Sequence, residues 1–323
     1  MEYLKSMVAN RDAVTADTVI TYDLPVNPVS HIAVDIEAAL AVAYTPATIA
    51  NFGAIFDKVE ILFKGSSIIS LTGMDLLAYS ALITGKPAFP INRNSAVLSE
   101  QTMRFLIPFG RGLYNPLECF PAVRRGEFTL KLDYAASFTN IGSLDATITA
   151  VELPGATPAG FLKCTSISKT PIVGDNDVDL PIGNPIIGIE VFSTTVPTTT
   201  AKTTTVDKTK LLVDNVEHYL HDVRWPELRE EFKRRANLAD SRVDHTHRSD
   251  LAAAYTQFQA TDEMNFTENW GREYGYIDFD PLNDGSFALL TEGKSRVWLK
   301  INAGDTNVLR INPIELIKVA PGA

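Results

Sequence analysis

The chain is poor in the residues that most binding chemistries rely on. Its 323 residues include five histidines, two cysteines and three tryptophans. The cysteines, Cys119 and Cys164, stand at noncorresponding places in the internal repeat described below. That excludes a disulfide framework and fits folding in a reducing compartment. No apolar run reaches the roughly 18 residues of a membrane span, and the start Met1-Glu2-Tyr3-Leu4-Lys5 lacks the apolar stretch of a signal peptide. Positive charge is also short, with 29 Lys and Arg against 39 Asp and Glu and a net charge of -10. A broad or sequence-specific nucleic-acid surface is therefore not expected. The one basic cluster, Lys233-Arg234-Arg235, is balanced by Glu227, Glu230 and Glu231. Spacings of four predict pairs Glu230–Arg234 and Glu231–Arg235 on a solvated helix face.

Catalytic motifs are missing as well. There is no phosphate-binding Gly-x-x-x-x-Gly-Lys loop, Gly110-Arg111-Gly112 lacks the third glycine of a dinucleotide site, and no Gly-x-Ser-x-Gly elbow occurs. Asp244-His245-Thr246-His247 would put two imidazoles on one face of a strand, but no downstream Glu or glycine frame accompanies it, and a solvated loop is the expectation. His218 and His221, three apart, make no stronger case. Asp175-Asn176-Asp177-Val178-Asp179 begins like a calcium loop, yet Leu180 stands where the turn glycine is needed and Ile186 where the bidentate Glu belongs, so it reads as a turn before a strand. No catalytic, cofactor-binding or metal-ligating residue is expected, and no cofactor.

With 45% hydrophobic and 21% charged residues, the composition is that of a globular protein. Its most informative feature is a repeat. Asp23-Leu24-Pro25-Val26-Asn27-Pro28 returns as Asp179-Leu180-Pro181-Ile182-Gly183-Asn184-Pro185, with Asn27 and Asn184 157 positions apart. In the same order, Asp57-Lys58-Val59-Glu60 is answered by Asp207-Lys208-Thr209-Lys210, and Phe128–Leu132 by Val297–Ile301. Thr139-Asn140-Ile141 matches Thr306-Asn307-Val308, and Ile148–Leu153 matches Ile314–Val319. One chain made of two copies of a β domain is the simplest account. The seam falls at Pro154–Gly160, giving residues 1–156, with an N-terminal arm, and residues 157–323, with a long insertion around 238–272.

Ile32, Val34 and Ile36, then Phe105, Ile107 and Phe109, then Phe128, Leu130, Leu132 and Tyr134 alternate as half-buried strands. Ile187, Ile189 and Val191, with Val297, Leu299 and Ile301, do so in the second copy. Val59–Phe63 is apolar at nearly every position, as in a strand covered on both faces. Pro25 and Pro28 assign the neighbouring segment to a sheet edge. Thr72-Gly73-Met74-Asp75 predicts a helix start and Gly85 with Pro87 its end; Trp225, Leu228 and Phe232 behind Pro226 predict its counterpart. Tyr3, Leu4, Met7 and Val8 lie at helical spacing in a short N-terminal arm. Ser249, Leu251, Tyr255 and Phe258 suggest a further helix in the insertion. The Thr-rich stretch 193–205 reads as an exposed loop, and Asn283-Asp284-Gly285 as a hairpin turn between Tyr276–Phe279 and Phe287–Leu290. The fold class expected is all-β: two tandem eight-stranded antiparallel jelly rolls with short interrupting helices.

The doubled Asn27-Pro28 and Asn184-Pro185, the doubled Asp57 and Asp207 strands and one helix per copy give the chain a resemblance to the double jelly-roll major capsid proteins of tailless icosahedral viruses. That lineage includes adenovirus hexon and membrane-containing bacteriophages. The resemblance implies a homotrimer forming a pseudo-hexameric capsomer of an icosahedral virion capsid, assembled in the host cytoplasm. Its partners would be neighbouring capsomers, minor capsid proteins and, in some such viruses, an internal membrane. Two other readings stay open: a two-domain hydrolase acting on glycans through a carboxylate pair between the domains, and a carbohydrate-binding or attachment protein using Trp225, Trp270, Tyr274 and Tyr276. A metalloenzyme of two cupin domains is a third, weaker one.

Overall fold

A computed structural model describes residues 2–41, 47–91, 100–197, 203–218, 222–238 and 271–319. The first half contributes β1 Leu4–Val14, β2 Val19–Asp23, β3 Val29–Leu40, the short helix α1 Ile49–Gly53, β4 Phe56–Phe63, β5 Ser66–Leu71, helix α2 Gly73–Thr84, β6 Glu100–Pro108, β7 Phe128–Tyr134 and β8 Ile141–Glu152. The second contributes β9 Gly160–Thr165, β10 Ile167–Lys169, β11 Gly174–Asp179, β12 Ile186–Ser193, β13 Val206–Val213, β14 Val216–Glu217, β15 Val223–Arg224, helix α3 Trp225–Arg235, β16 Tyr274–Asp278, β17 Val297–Ala303 and β18 Leu309–Lys318.

Sheet order makes each half a jelly roll. The first half has one sheet ordered β1-β8-β3-β6 and a second ordered β2-β7-β4-β5. The second half repeats this as β9-β18-β12-β16 and β11-β17-β13-β14, with β10 continuing β9 along β18 and β15 continuing β14 along β13. Even the irregularities coincide. The ladder to the last strand slips between Val29 and His31 in one roll and between Ile186 and Gly188 in the other. The β4–β7 and β13–β17 ladders slip at matching points too, between Phe56 and Lys58 and between Val206 and Lys208. The sequence echoes therefore mark equivalent strands. The rolls are fused through a parallel pairing of β5 with β9, Ile69 with Cys164 and Ser70 with Thr165, so the two central sheets run together as one of nine strands.

α2 starts as its sequence dictates, with the Thr72 hydroxyl accepting from the Asp75 N–H at 3.2 Å and Gly85 closing it in the left-handed conformation at φ 63°. It is buried on all sides. α3 is amphipathic, with Trp225, Leu228 and Phe232 inside. The first roll's core runs without a break into residues of the second, among them Ile187, Phe232, Tyr274, Tyr276 and Ile314. A separate apolar cluster fills the second roll. Cys119 and Cys164 are both free and buried.

Several expectations are corrected. The N-terminal segment is not a helical arm but the edge strand β1, paired with β8 from Leu4 to Val14. Two register shifts and a mostly exposed outer edge destroy its alternation, leaving an apolar spacing that mimics a helix. β4 is not covered on both faces: Val59 and Ile61 are buried while Glu60 carries Lys58 and Lys131 on the other side. Asp175–Asp179 is strand β11 itself, not a turn before one. No hairpin joins Tyr276–Phe279 to Phe287–Leu290. β16 pairs with β12, Leu289 makes only an isolated bridge to Ile186, and the Asp280 carboxylate organises the turn by accepting from the N–H of Asp284 (3.1 Å) and Gly285 (2.8 Å). Part of the Thr-rich stretch is inside: Ser193, Thr204 and Thr205 are buried, with the Ser193 and Thr204 hydroxyls 3.1 Å apart and the Thr205 hydroxyl accepting from Thr195 N–H at 3.0 Å. On α3 the ion pairs three apart are Glu230–Lys233 and Glu231–Arg234, and Arg235 instead faces Asp278 of its own roll at 3.6 Å. Most of the 238–272 insertion, with its suggested helix, lies outside the described residues.

Candidate functional site

The places where the sequence offered chemistry do not gather into a centre. Asp244–His247, His221 and Trp270 lie outside the described residues. On β11, the Asp175 carboxylate accepts from Asn302 at 2.8 Å and faces Lys300 at 3.3 Å, while Asp179 faces Arg296 at 2.6 Å. These carboxylates serve a cross-strand charge ladder. Trp225, Tyr274 and Tyr276 are buried. Among the described residues no group of three or more His, Cys, Asp or Glu could hold a metal ion.

The polar residues that do converge lie at the seam between the rolls. Asp75 sits in the first turn of α2 and its side chain is fully buried. It receives two hydrogen bonds from Arg310 of β18, Nε to Oδ2 at 2.7 Å and Nη2 to Oδ1 at 2.8 Å, and a third from the Tyr274 hydroxyl of β16 at 2.7 Å. The Arg310 guanidinium also lies over the Phe192 ring, 3.6 Å from its centroid. One helix of the first roll is thus held by two strands of the second, β18 and β16. The carboxylate raises the Arg310 pKa against the opposing effect of burial.

Beside this pair lies Glu190 of β12, fully buried. Asn312 donates to its Oε1 at 2.8 Å, whereas its Oε2 and Asn312 Oδ1 have no hydrogen-bond partner among the described residues. Burial, reinforced by the charge of Asp75, pushes the Glu190 pKa well above the ordinary carboxylate value. The site therefore favours the neutral acid over the carboxylate more than water does.

A second tie crosses the seam. Arg111, in the loop after β6, donates from Nη1 to Asp280 at 2.7 Å and from Nε to Glu118 at 3.0 Å. Asp280 has no exposed side-chain surface and also anchors its own loop. Arg235 of α3 donates to the Asp280 carbonyl at 3.3 Å. Arg111 is the middle residue of the glycine pair that fails as a dinucleotide motif. Sequence reasoning missed Asp75, Arg310, Glu190 and Asp280. Glu190 and Arg310 left a trace only as charges in the largely apolar runs Ile187–Val191 and Leu309–Ile314, Asp75 was hidden as a helix-start residue, and Asp280 left none.

The repeated Asn-Pro turns also have a structural task. Asn27 donates to Glu152 Oε2 at 2.8 Å at the end of β8, and Asn184 donates to Glu315 Oε2 at 2.9 Å near the end of β18. Both glutamates are buried. Each turn tethers its roll's second sheet to the last strand of the first.

Fold and seam together define a double jelly-roll chain, two equivalent sandwiches locked side by side. Solved structures share that fold over essentially the whole length. The STIV MCP aligns with a TM-score of 0.69 at 13% identity, covering 98% of this chain and 97% of that one. The major capsid protein of bacteriophage PM2 aligns at 0.61 and 12% identity, covering 100% of both chains, and the PBCV-1 virus capsid at 0.63 and 8%, covering 98% and 93%. No protein-family model and no curated protein sequence matches the chain.

Proposed function

We propose that this chain is a viral major capsid protein, a non-enzymatic building unit that trimerises into a pseudo-hexameric capsomer. The observation that carries the reading is the doubling itself. Two rolls of identical strand order, slipped at identical points and fused into one sheet, supply two near-equivalent sides to a tile, so three chains supply six. Full-length likeness to the STIV, bacteriophage PM2 and PBCV-1 capsid proteins supports the same assignment. Residues 1–156 and 157–323 are proposed as the two folding units. Neighbouring capsomers and minor capsid proteins are the further partners proposed, with the virion as the location.

The hydrolase alternative needs an accessible carboxylate pair between the rolls. The seam carboxylates Asp75, Glu190 and Asp280 are sealed from solvent, and Asp75 and Asp280 are committed to arginines. The carbohydrate-binding alternative needs exposed aromatics where Trp225, Tyr274 and Tyr276 are core. Expression followed by light scattering and electron microscopy tests the proposal: trimers that pack into sheets or shells support it, and a monomer with glycan-hydrolysing activity overturns it.

A further inference from the structure

The contact inside the chain is a template for a contact between chains. Register fixes the equivalence. Glu152 and Glu315, each bound by its turn asparagine, align the last strands, so Thr147 corresponds to Arg310. The shared slip in β3 and β12 then matches Asp35 to Phe192, each directly opposite those residues, and Ala33 to Glu190. On the next strand Arg104 and Leu106 correspond to Tyr274 and Tyr276. On the edge strand Lys5, opposite Val151, corresponds to Cys164, opposite Ile314. For the helices, Thr72 and Arg224 are the N-caps, so Asp75 corresponds to Glu227 and Tyr79, one turn later, to Glu231.

Inside the chain, Asp75 and Tyr79 lie on the same side of α2 against the second roll. Asp75 meets Arg310 and Tyr274, and Tyr79 lies near Cys164, Glu190 and Tyr276. In the first roll the equivalent sheet face is open at its Arg104 and Lys5 positions, while Ala33, His31 and Val151 on the same face are buried and Tyr114 packs edge-on against His31 with ring centroids 5.1 Å apart. Arg104 has 64% of its side chain exposed while forked onto Asp35 at 2.6 and 2.8 Å, and Lys5 and Met7 are exposed beside it. On α3 the equivalent positions, Glu227 and Glu231, are acidic and Glu227 is exposed. The acidic first turns of α3, which precede the basic Lys233-Arg234-Arg235, and the face carrying Arg104 and Lys5 thus stand at the two positions equivalent to a contact the chain already makes once; within one chain Glu231 is held by Arg234 and Arg104 by Asp35.

Resting on the capsid reading, we propose that a second copy of this chain docks its α3 on the outer face of β1-β8-β3-β6, bringing Glu227 to Arg104 and Glu231 to Lys5. The contact is head to tail, so three copies close a ring. Its polarity follows from assembly. α2 is buried as the chain folds and carries a single charge, Asp75, whereas α3 must stay soluble until a neighbour arrives and keeps its charges.

The test uses the full-length chain. Glu227→Cys and Arg104→Cys are combined in one chain and treated with a short bismaleimide, the native cysteines being buried. Covalent trimers that neither single variant yields are expected. Separately, R104E and E227K should each lose the trimer by light scattering, and mixing a chain carrying R104E with one carrying E227K should recover part of it. Unchanged melting of these surface variants would show that folding is intact. A wild-type trimer that gives no cross-link and tolerates both charge reversals overturns this docking and leaves the capsid reading standing. A wild-type chain monomeric at every concentration overturns both.

Discussion

At the scale of single residues, twin positions do twin work. Asn27 and Asn184 each satisfy a buried glutamate, and truncating either leaves that carboxylate short of a partner. Asn27→Ala and Asn184→Ala should each cost about 1–3 kcal/mol in urea titrations, Asn184→Ala less because Glu315 keeps a charged donor, Lys163 at 3.0 Å, where Glu152 keeps only the Ser6 hydroxyl. Glu190 acts in the opposite sense. Its raised pKa means that the folded chain holds a proton which the unfolded chain releases above the ordinary value of 4.5. Stability is therefore lost as pH rises through that window. Glu190→Gln should raise the melting temperature at pH 8 more than at pH 4; an equal or reversed difference would show that Glu190 is ionised in the fold. The Asn-Pro doubling was legible because both copies kept the same short string. Glu190 was not, because one acid in an apolar strand looks the same in sequence whether it faces water or a second roll.

At the scale of elements, legibility followed amphipathicity. β7, buried at every second residue, and α3, with its apolar stripe behind Pro226, could be read directly. β1 could not, since its pairing with β8 is irregular and its outer edge has no covering strand. The segment is a structural edge of the first roll and not a separate arm. Deleting residues 2–14 removes Ala9 and Val14 from the core and bares the backbone of β8. The truncated chain should be recovered as aggregate, and a soluble, cooperatively melting product would contradict the strand assignment. α2 offers a milder test. Thr72→Ala removes the hydroxyl that accepts from Asp75 N–H and should cost about 1 kcal/mol.

At the scale of the whole molecule, the seam makes two rolls behave as one body. Continuous strand pairing from β5 to β9 and a shared apolar core supply most of the attachment, while Asp75–Arg310 sets its geometry. A buried ion pair adds little net stability, but halving it is costly. Asp75→Ala should lower stability by about 3–5 kcal/mol, and replacing Arg310 as well should recover part of that loss. The two-roll organisation was legible from the repeat. The seam was not, because its partners stand 199 and 235 positions apart and belong to no local pattern.

Negative-stain electron microscopy of the purified 35.4 kDa chain tests the central claim most directly. The account predicts six-lobed tiles with three-fold symmetry, each pair of adjacent lobes supplied by one chain. Particles of two lobes only, at every concentration and salt, would contradict it.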